Sequence, residues 1–268
     1  MKIYIVSQAV EERMHTCRLL KAAGIPFTLV LDSAQQAATA RKLGHTKLMV
    51  TDTTDLPSKR NLITEHHGRG WYIGMDDNIQ AFTAILPKFR KEQVIDTADG
   101  QNWRPTFNAP CKPREYAAML EQLACAAAAI DTAYAGVATM ENPFFRGKRY
   151  GLRRFVKSKV FCMDARGGVL FRHRMCHDSY ASAHCVALHG RVLVDNWLFY
   201  RARWYERGGL GTMQQRRAGG FEQQLQAIIA EFPGLVGRAR GKNSALRFLL
   251  TSNTAVNRWR AQHGWLKG

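Results

Sequence analysis

Asp76, Asp77 and Asn78 stand together between a short apolar run, Trp71-Tyr72-Ile73-Gly74-Met75, and Ile79. The run reads as a buried strand. Two adjacent carboxylates at its end repel each other and fit badly in a core. Oxygen ligands of this kind suit magnesium or manganese, and such an ion in turn holds a diphosphate. The same tripeptide is good turn chemistry, so an acidic turn after a strand is the plain alternative.

Three further groups carry chemistry. Lys59-Arg60-Asn61 precedes the acids, with Asp76 fifteen residues after Asn61. Lys and Arg near a helix start neutralise a diphosphate or grip a base, unless they only face solvent. His177-Asp178 lies in Arg174-Met175-Cys176-His177-Asp178-Ser179-Tyr180. Asp178 there is either a helix N-cap or a base for an acceptor hydroxyl, with His177 beside it to bind acceptor or metal. A zinc reading of His173, Cys176, His177, His184 and Cys185 lacks the paired spacing that zinc sites use. The third group is the stretch from Arg146 to Lys159, which includes Lys148, Arg149, Arg153, Arg154 and Lys157 with Tyr150 and Phe155 interleaved. Basic residues suit phosphates and aromatics suit unstacked bases. Phe144 and Phe145 just ahead are wedge candidates, and Arg216, Arg217, Arg238, Arg240, Lys242, Arg247, Arg258 and Arg260 follow late in the chain. Gly208-Gly209-Leu210-Gly211 is either a lid or a turn.

These residues need a frame. Hydrophobic periodicity predicts strands at 2–6, 27–31, 47–50 and 71–75, separated by helices at 10–23, 34–43 and 56–66. Such alternation makes a parallel sheet covered by helices, and ligands then bind beyond the carboxyl ends of its strands. Ser7, Asp32, Asp52 and Asp76 all fall at or just past those ends. Taken singly, Asp32 and Asp52 also read as helix caps. No GxGxxG follows the first strand and no GxxxxGK[ST] occurs, which disfavours dinucleotide and P-loop readings. Further helices are expected at 112–134, 180–188 and 221–232, and residues 191–200 read as a strand. Without a repeat or low-complexity linker, one domain over 1–268 is expected, with a donor half (1–110) and an acceptor half (111–268).

Charge separates the two parts. The net charge is +18, yet residues 1–90 carry 12 Lys/Arg against 8 Asp/Glu. The excess therefore lies in the later part, and a field of that sign attracts polyanions such as nucleic acid. The six cysteines form no CxxC pair and read as free thiols of a reducing compartment, the cytoplasm. No apolar run reaches the ~20 residues of a membrane span, so no membrane partner is expected.

The order strand, helix, Lys59-Arg60-Asn61, strand, Trp71-x-x-x-x-Asp76-Asp77-Asn78-Ile79 resembles the nucleotide-sugar half of a GT-A glycosyltransferase. Within that class it is most similar to phage-type glycosyltransferases associated with TET/J-binding-protein hydroxylases. The resemblance is good over about residues 1–85 and looser from about 170 to 240. It implies a GT-A-like, Rossmann-type α/β fold and transfer of a sugar from a nucleotide-sugar, a UDP-sugar above all, to a hydroxymethylpyrimidine in double-stranded DNA. It further implies Mn2+ or Mg2+ on Asp76, Asp77 or Asn78, with Ser7, Asp32, Lys59, Arg60 and Asn61 around the donor and Asp178 as the base. The acids are adjacent, where the family's DxD-type motif separates them by one residue, which leaves open which of them meets the metal. Two rivals share these residues: a metal-dependent nuclease or nucleotidyltransferase, and a non-catalytic DNA-binding protein on the same fold.

Overall fold

In a computed structural model, residues 1–8, 10, 14–85, 108–138, 148–157, 159–202, 220–239 and 246–266 are described. Arg146, Phe144, Phe145, the glycines of 208–211, Arg216, Arg217, Arg240 and Lys242 lie outside them.

The first seven elements alternate as the periodicity predicts: β1 (Lys2–Val6), α1 (His15–Ala22), β2 (Thr28–Leu31), α2 (Ala34–Lys42), β3 (Leu48–Val50), α3 (Leu56–His67) and β4 (Trp71–Asp76). Then come β5 (Ile79–Ile85), β6 (Asn108–Cys111), α4 (Pro113–Ala128), β7 (Tyr134–Val137), β8 (Tyr150–Gly151) and β9 (Val160–Asp164). The chain continues through α5 (His177–His189), β10 (Leu193–Asp195), β11 (Leu198–Ala202), α6 (Phe221–Glu231), β12 (Val236–Arg238), β13 (Leu246–Phe248) and α7 (Asn253–Gln262).

The large sheet runs β3-β2-β1-β4-β9-β7-β10-β8. Strands β3, β2, β1 and β4 are parallel, and β7 and β10 share their direction, because β9 is antiparallel to both β4 and β7. The carboxyl ends of β1, β2, β3, β4, β7 and β10 therefore form one rim, and β9 begins at it. Helices α1, α2 and α4 bury Cys17, Leu20, Ala37, Ala40, Leu120 and Leu123 on one face of the sheet. Helices α3, α5, α6 and α7 bury Ile63, Tyr180, Ile228 and Trp259 on the other. The chain is thus α/β, with a mostly parallel sheet between helical layers. No helix among the described residues is long and apolar enough to cross a membrane, and all six cysteines are free thiols.

Three sequence expectations are corrected. The helix expected to reach residue 134 stops at Ala128; Asp131 takes a left-handed conformation (φ 53°), and Tyr134 enters a strand buried at every position. The alanine run favours helix locally, but the sheet needs β7 between β9 and β10. The single strand expected over 191–200 is two, because Asp195 accepts the Trp197 backbone N–H at 2.8 Å and turns the chain from the large sheet into the small one. Asp32 and Asp52, read singly as caps, are not: Ser33, which the sequence also offers as the cap of α2, accepts the Gln36 N–H, and Asp55 accepts the Ser58 N–H at the start of α3.

Gly74 shows how the sheet supports the rim. It faces Phe161 across the β4–β9 pair, and a Cβ at Gly74 would lie 2.2 Å from the Phe161 ring. That ring in turn underlies the Arg60 guanidinium at 5.3 Å. Gly74→Ala forces the ring to move in a close-packed interior, so a loss of roughly 1–3 kcal/mol in urea unfolding is expected. An unchanged midpoint would show that the ring has room.

Candidate functional site at the carboxyl rim of the sheet

Strand pairing sets the rim. Val6 lies beside Val30 on one side and Asp76 on the other. On the far side of β4 the Asp76 N–H donates to the Lys159 carbonyl at 2.9 Å, so the first residues of reversed β9 face the end of β4. Lys159 is thereby delivered to the acids, although it lies far from them in sequence.

The acids divide the work. Asp76 is partly open (side chain 19% exposed) and takes Arg60 Nη2 on Oδ1 at 2.9 Å. Its Oδ2 lies 3.6 Å from Lys159 Nζ. The same ammonium donates to Asn78 Oδ1 at 2.9 Å. Asp77 is 5% exposed and accepts the Ser7 hydroxyl at 2.7 Å. Asp76 and Asn78, two residues apart, thus share one ammonium. Asp77 and Asn78 form the turn between β4 and β5, and Asn78 reaches the Lys159 ammonium from within it. The turn itself is anchored by Thr16, whose hydroxyl donates to the Asp76 carbonyl at 2.6 Å and accepts the Ile79 N–H at 3.0 Å.

Behind the rim sits a buried ion pair. Lys59 is fully buried, pairs with Asp32 and donates to the Ser7 carbonyl at 3.2 Å. Burial pulls its ammonium down to about 8, against the opposing effect of Asp77. Arg60 is 1% exposed and lies between Phe161 and Phe171, 5.3 Å from each ring centre. Stacked between two rings, it presents its fork in one direction only. Asn61 belongs to the same helix but spends its amide on backbone: Nδ2 donates to the Phe171 carbonyl at 3.0 Å and Oδ1 accepts its N–H at 2.9 Å. It thus holds the segment that leads up to α5.

That segment delivers His177 and Asp178 to the rim. Cys176 is the N-cap of α5, so Asp178 is a first-turn residue and not the cap. Its Oδ1 accepts the Ser179 N–H at 2.7 Å, and its Oδ2 pairs with Lys157 Nζ at 3.2 Å. Burial opposes its ionisation, but Lys157 and His177 outweigh that and hold the carboxyl below its ordinary range. Asp178 is therefore a carboxylate at neutral pH. Nδ1 of His177 lies 2.9 Å from the Arg174 carbonyl, which makes Nδ1 the protonated nitrogen and leaves Nε2 as the acceptor. Burial and the Arg60 charge take this imidazole down to about 4, with Asp178 and Asp76 opposing. Arg60 and the His177 ring both lie against Phe171, at 5.3 and 6.4 Å. Tyr200 was not singled out from sequence. Its buried hydroxyl has no hydrogen-bond partner among the described residues, and its pKa is raised by burial and then by Asp76 and Asp178.

The basic stretch is tied into the fold. Arg149 Nε pairs with buried Asp195 at 3.0 Å, and Arg154 donates to Asn196 at 3.3 Å. Arg153 reaches the Thr251 carbonyl and Asn253, Lys157 holds Asp178, and Lys148 is exposed. Asp195 and Asn196, at the end of β10, were not identified from sequence. They cross-link this stretch to the rim, and burial raises the Asp195 pKa despite Arg149.

The zinc reading is not supported: no group of three or more His, Cys, Asp or Glu among the described residues is placed to hold an ion. His184 instead accepts the Leu170 N–H on Nδ1 at 3.0 Å, and burial and then Arg172 lower it to about 4. His177 and His184 both bind a proton more weakly folded than unfolded. Their stabilising effect is complete above the unfolded value near 6.5 and is lost as pH falls from there toward 4. A drop on the order of 3 kcal/mol per histidine is expected over that window, and His184→Gln should flatten part of it in urea unfolding at pH 7 and pH 4.5.

A divalent ion needs oxygen donors, and one or two protein carboxylates with substrate phosphates suffice for magnesium. Asp76 Oδ2 and Asn78 Oδ1 fit that donor set, because both already lie on one cation, the Lys159 ammonium. Asp77 accepts the Ser7 hydroxyl at 2.7 Å.

No family model matches the chain, and no curated protein matches it significantly. Among solved structures, one similar backbone is that of CMP:2-keto-3-deoxy-manno-octonic acid synthetase complexed with CTP (8% identity, 85% of this chain and 98% of that one, TM-score 0.41). Another is a protein named as a glucose-1-phosphate thymidylyltransferase from Bacillus anthracis, in complex with a sucrose (9% identity, 82% and 94%, TM-score 0.41). These likenesses concern the backbone arrangement alone.

Proposed function

We propose that this protein is a glycosyltransferase that moves a sugar from a nucleotide-sugar, a UDP-sugar by preference, to the hydroxymethyl oxygen of a modified pyrimidine in DNA. One observation carries the reading. Arg60, which holds Asp76 at 2.9 Å, and His177, the neighbour of ionised Asp178, both lie against the Phe171 ring (5.3 and 6.4 Å), which supports a diphosphate site and a base close together. In sugar transfer the acceptor oxygen bonds to the anomeric carbon, the bond from that carbon to the diphosphate breaks, and its electron pair leaves with the diphosphate. Asp178 takes the hydroxyl proton. Arg60 and Lys159 face the leaving group and offset its growing charge. Ser7, Asp32 and Lys59 form the floor beneath the nucleoside. Asp76 and Asn78 would hold a divalent ion, which supplies further positive charge to the diphosphate when bound.

DNA as acceptor rests on the resemblance and on charge: the excess of Lys and Arg falls after residue 90, and Lys157 of the basic stretch touches Asp178 itself. A base stacked in a duplex must be turned out to reach such a rim. The test is incubation with DNA containing hydroxymethylcytosine or hydroxymethyluracil, Mn2+ and a panel of nucleotide-sugars, followed by mass analysis of the digested nucleosides. A hydroxymethylpyrimidine heavier by one sugar is expected. Cleaved DNA, or a nucleotide joined to a sugar phosphate, would replace this reading with the nuclease or nucleotidyltransferase one.

A further inference from the structure

The Lys159 ammonium lies on two side-chain oxygens at the end of β4. It lies 2.9 Å from Asn78 Oδ1 and 3.6 Å from Asp76 Oδ2. Arg60 holds the other Asp76 oxygen at 2.9 Å and so turns Oδ2 toward the lysine. Arg60 is itself fixed between two rings. Lys159 stands one residue before β9, on a long side chain that is partly exposed (15%). The carboxylate is thus clamped from one side by a rigid cation and closed on the other by a flexible one.

We infer that Lys159 is a stand-in for the divalent ion: it holds the Asp76 and Asn78 oxygens in the free protein, yields them when an ion arrives with a diphosphate, and then binds a phosphate oxygen. Two protein oxygens are too few to hold such an ion firmly, and phosphate oxygens complete its shell. The ammonium also repels an ion that arrives alone. Ion and nucleotide therefore bind together, and the acids stay neutralised between turnovers. The role of the diphosphate rests on the nucleotide-sugar reading; the competition between ammonium and ion does not.

The experiment titrates Mn2+, followed by electron paramagnetic resonance, into the full-length protein and into Lys159→Met, Lys159→Gln and Lys159→Arg without nucleotide, and then titrates UDP at saturating Mn2+. The neutral variants are expected to bind Mn2+ about tenfold tighter than wild type, because a competing charge is gone. They should bind UDP about fivefold more weakly, because a phosphate ligand is gone. Lys159→Arg keeps the charge and should match wild type for Mn2+. A merely misfolded rim would weaken both ligands, so the opposite signs identify the exchange. Unchanged or weaker Mn2+ binding in both neutral variants overturns the inference, as does wild-type UDP binding that is equal in Mn2+ and in chelator, which would make the lysine a permanent cation. If UDP binds to nothing under any condition, the donor reading fails, while the Mn2+ comparison still decides whether the lysine excludes the ion.

Discussion

Replacing Asp178 with Asn is expected to lower sugar transfer by about 10²- to 10⁴-fold, the range that a positioned base contributes, while UDP affinity stays within about twofold, the resolution of a structural control. The amide keeps the shape of the carboxylate and can still accept the Ser179 N–H, now at 2.7 Å. It cannot take a proton. Lys157 loses its counter-ion, now at 3.2 Å, and becomes a free cation beside the acceptor, so DNA affinity should hold or rise. Steady-state rates with modified DNA, alongside calorimetry with UDP, separate these effects. Turnover within threefold of wild type would remove Asp178 from the chemistry and leave it as a first-turn charge that favours the helix dipole.

Asp76→Asn is expected to weaken Mn2+-dependent UDP binding by roughly 30-fold, the loss of about 2 kcal/mol at the low end for truncating a hydrogen-bonded charge pair, since Arg60 is buried and Asp76 only partly so. Asp77→Asn should change it by only about threefold or less, since an amide oxygen still accepts a neutral hydroxyl bond of modest net worth. The contrast arises from geometry: Asp76 meets Arg60 and Lys159, whereas Asp77 meets Ser7. Asp76→Asn also leaves Arg60, only 1% exposed, without its carboxylate, so part of the loss will appear as lower stability in the same samples. Equal losses in both variants would restore the adjacent pair as the working unit.

The order of the first four strands and their helices was legible in the sequence, because each apolar run is short and each helix ends at a Gly. Asp76 at a strand end followed from that pattern alone. Lys159 did not, because its place depends on β9 entering antiparallel beside β4, and pairing between distant strands leaves no local mark. Asp195 was hidden for a related reason: the turn it makes joins two sheets inside what reads as one apolar run. Asn61 was legible as a residue near the site, yet its partner Phe171 lies 110 residues away, and only the fold shows that it braces the segment leading to His177 and Asp178. The basic stretch shows the limit of composition. Its arginines look available in sequence, but Arg149, Arg153 and Arg154 each have an intramolecular partner.

The most direct measurement is a crystal structure of the protein with UDP and Mn2+, with the metal located by anomalous scattering. The account predicts an anomalous peak bonded to Asp76 and Asn78, the diphosphate against that ion with Arg60 and Lys159 beside it, and Asp77 still on Ser7. Nucleotide bound away from the ends of β1 and β4, or metal bound through Asp77 with Lys159 still on Asp76, would contradict it.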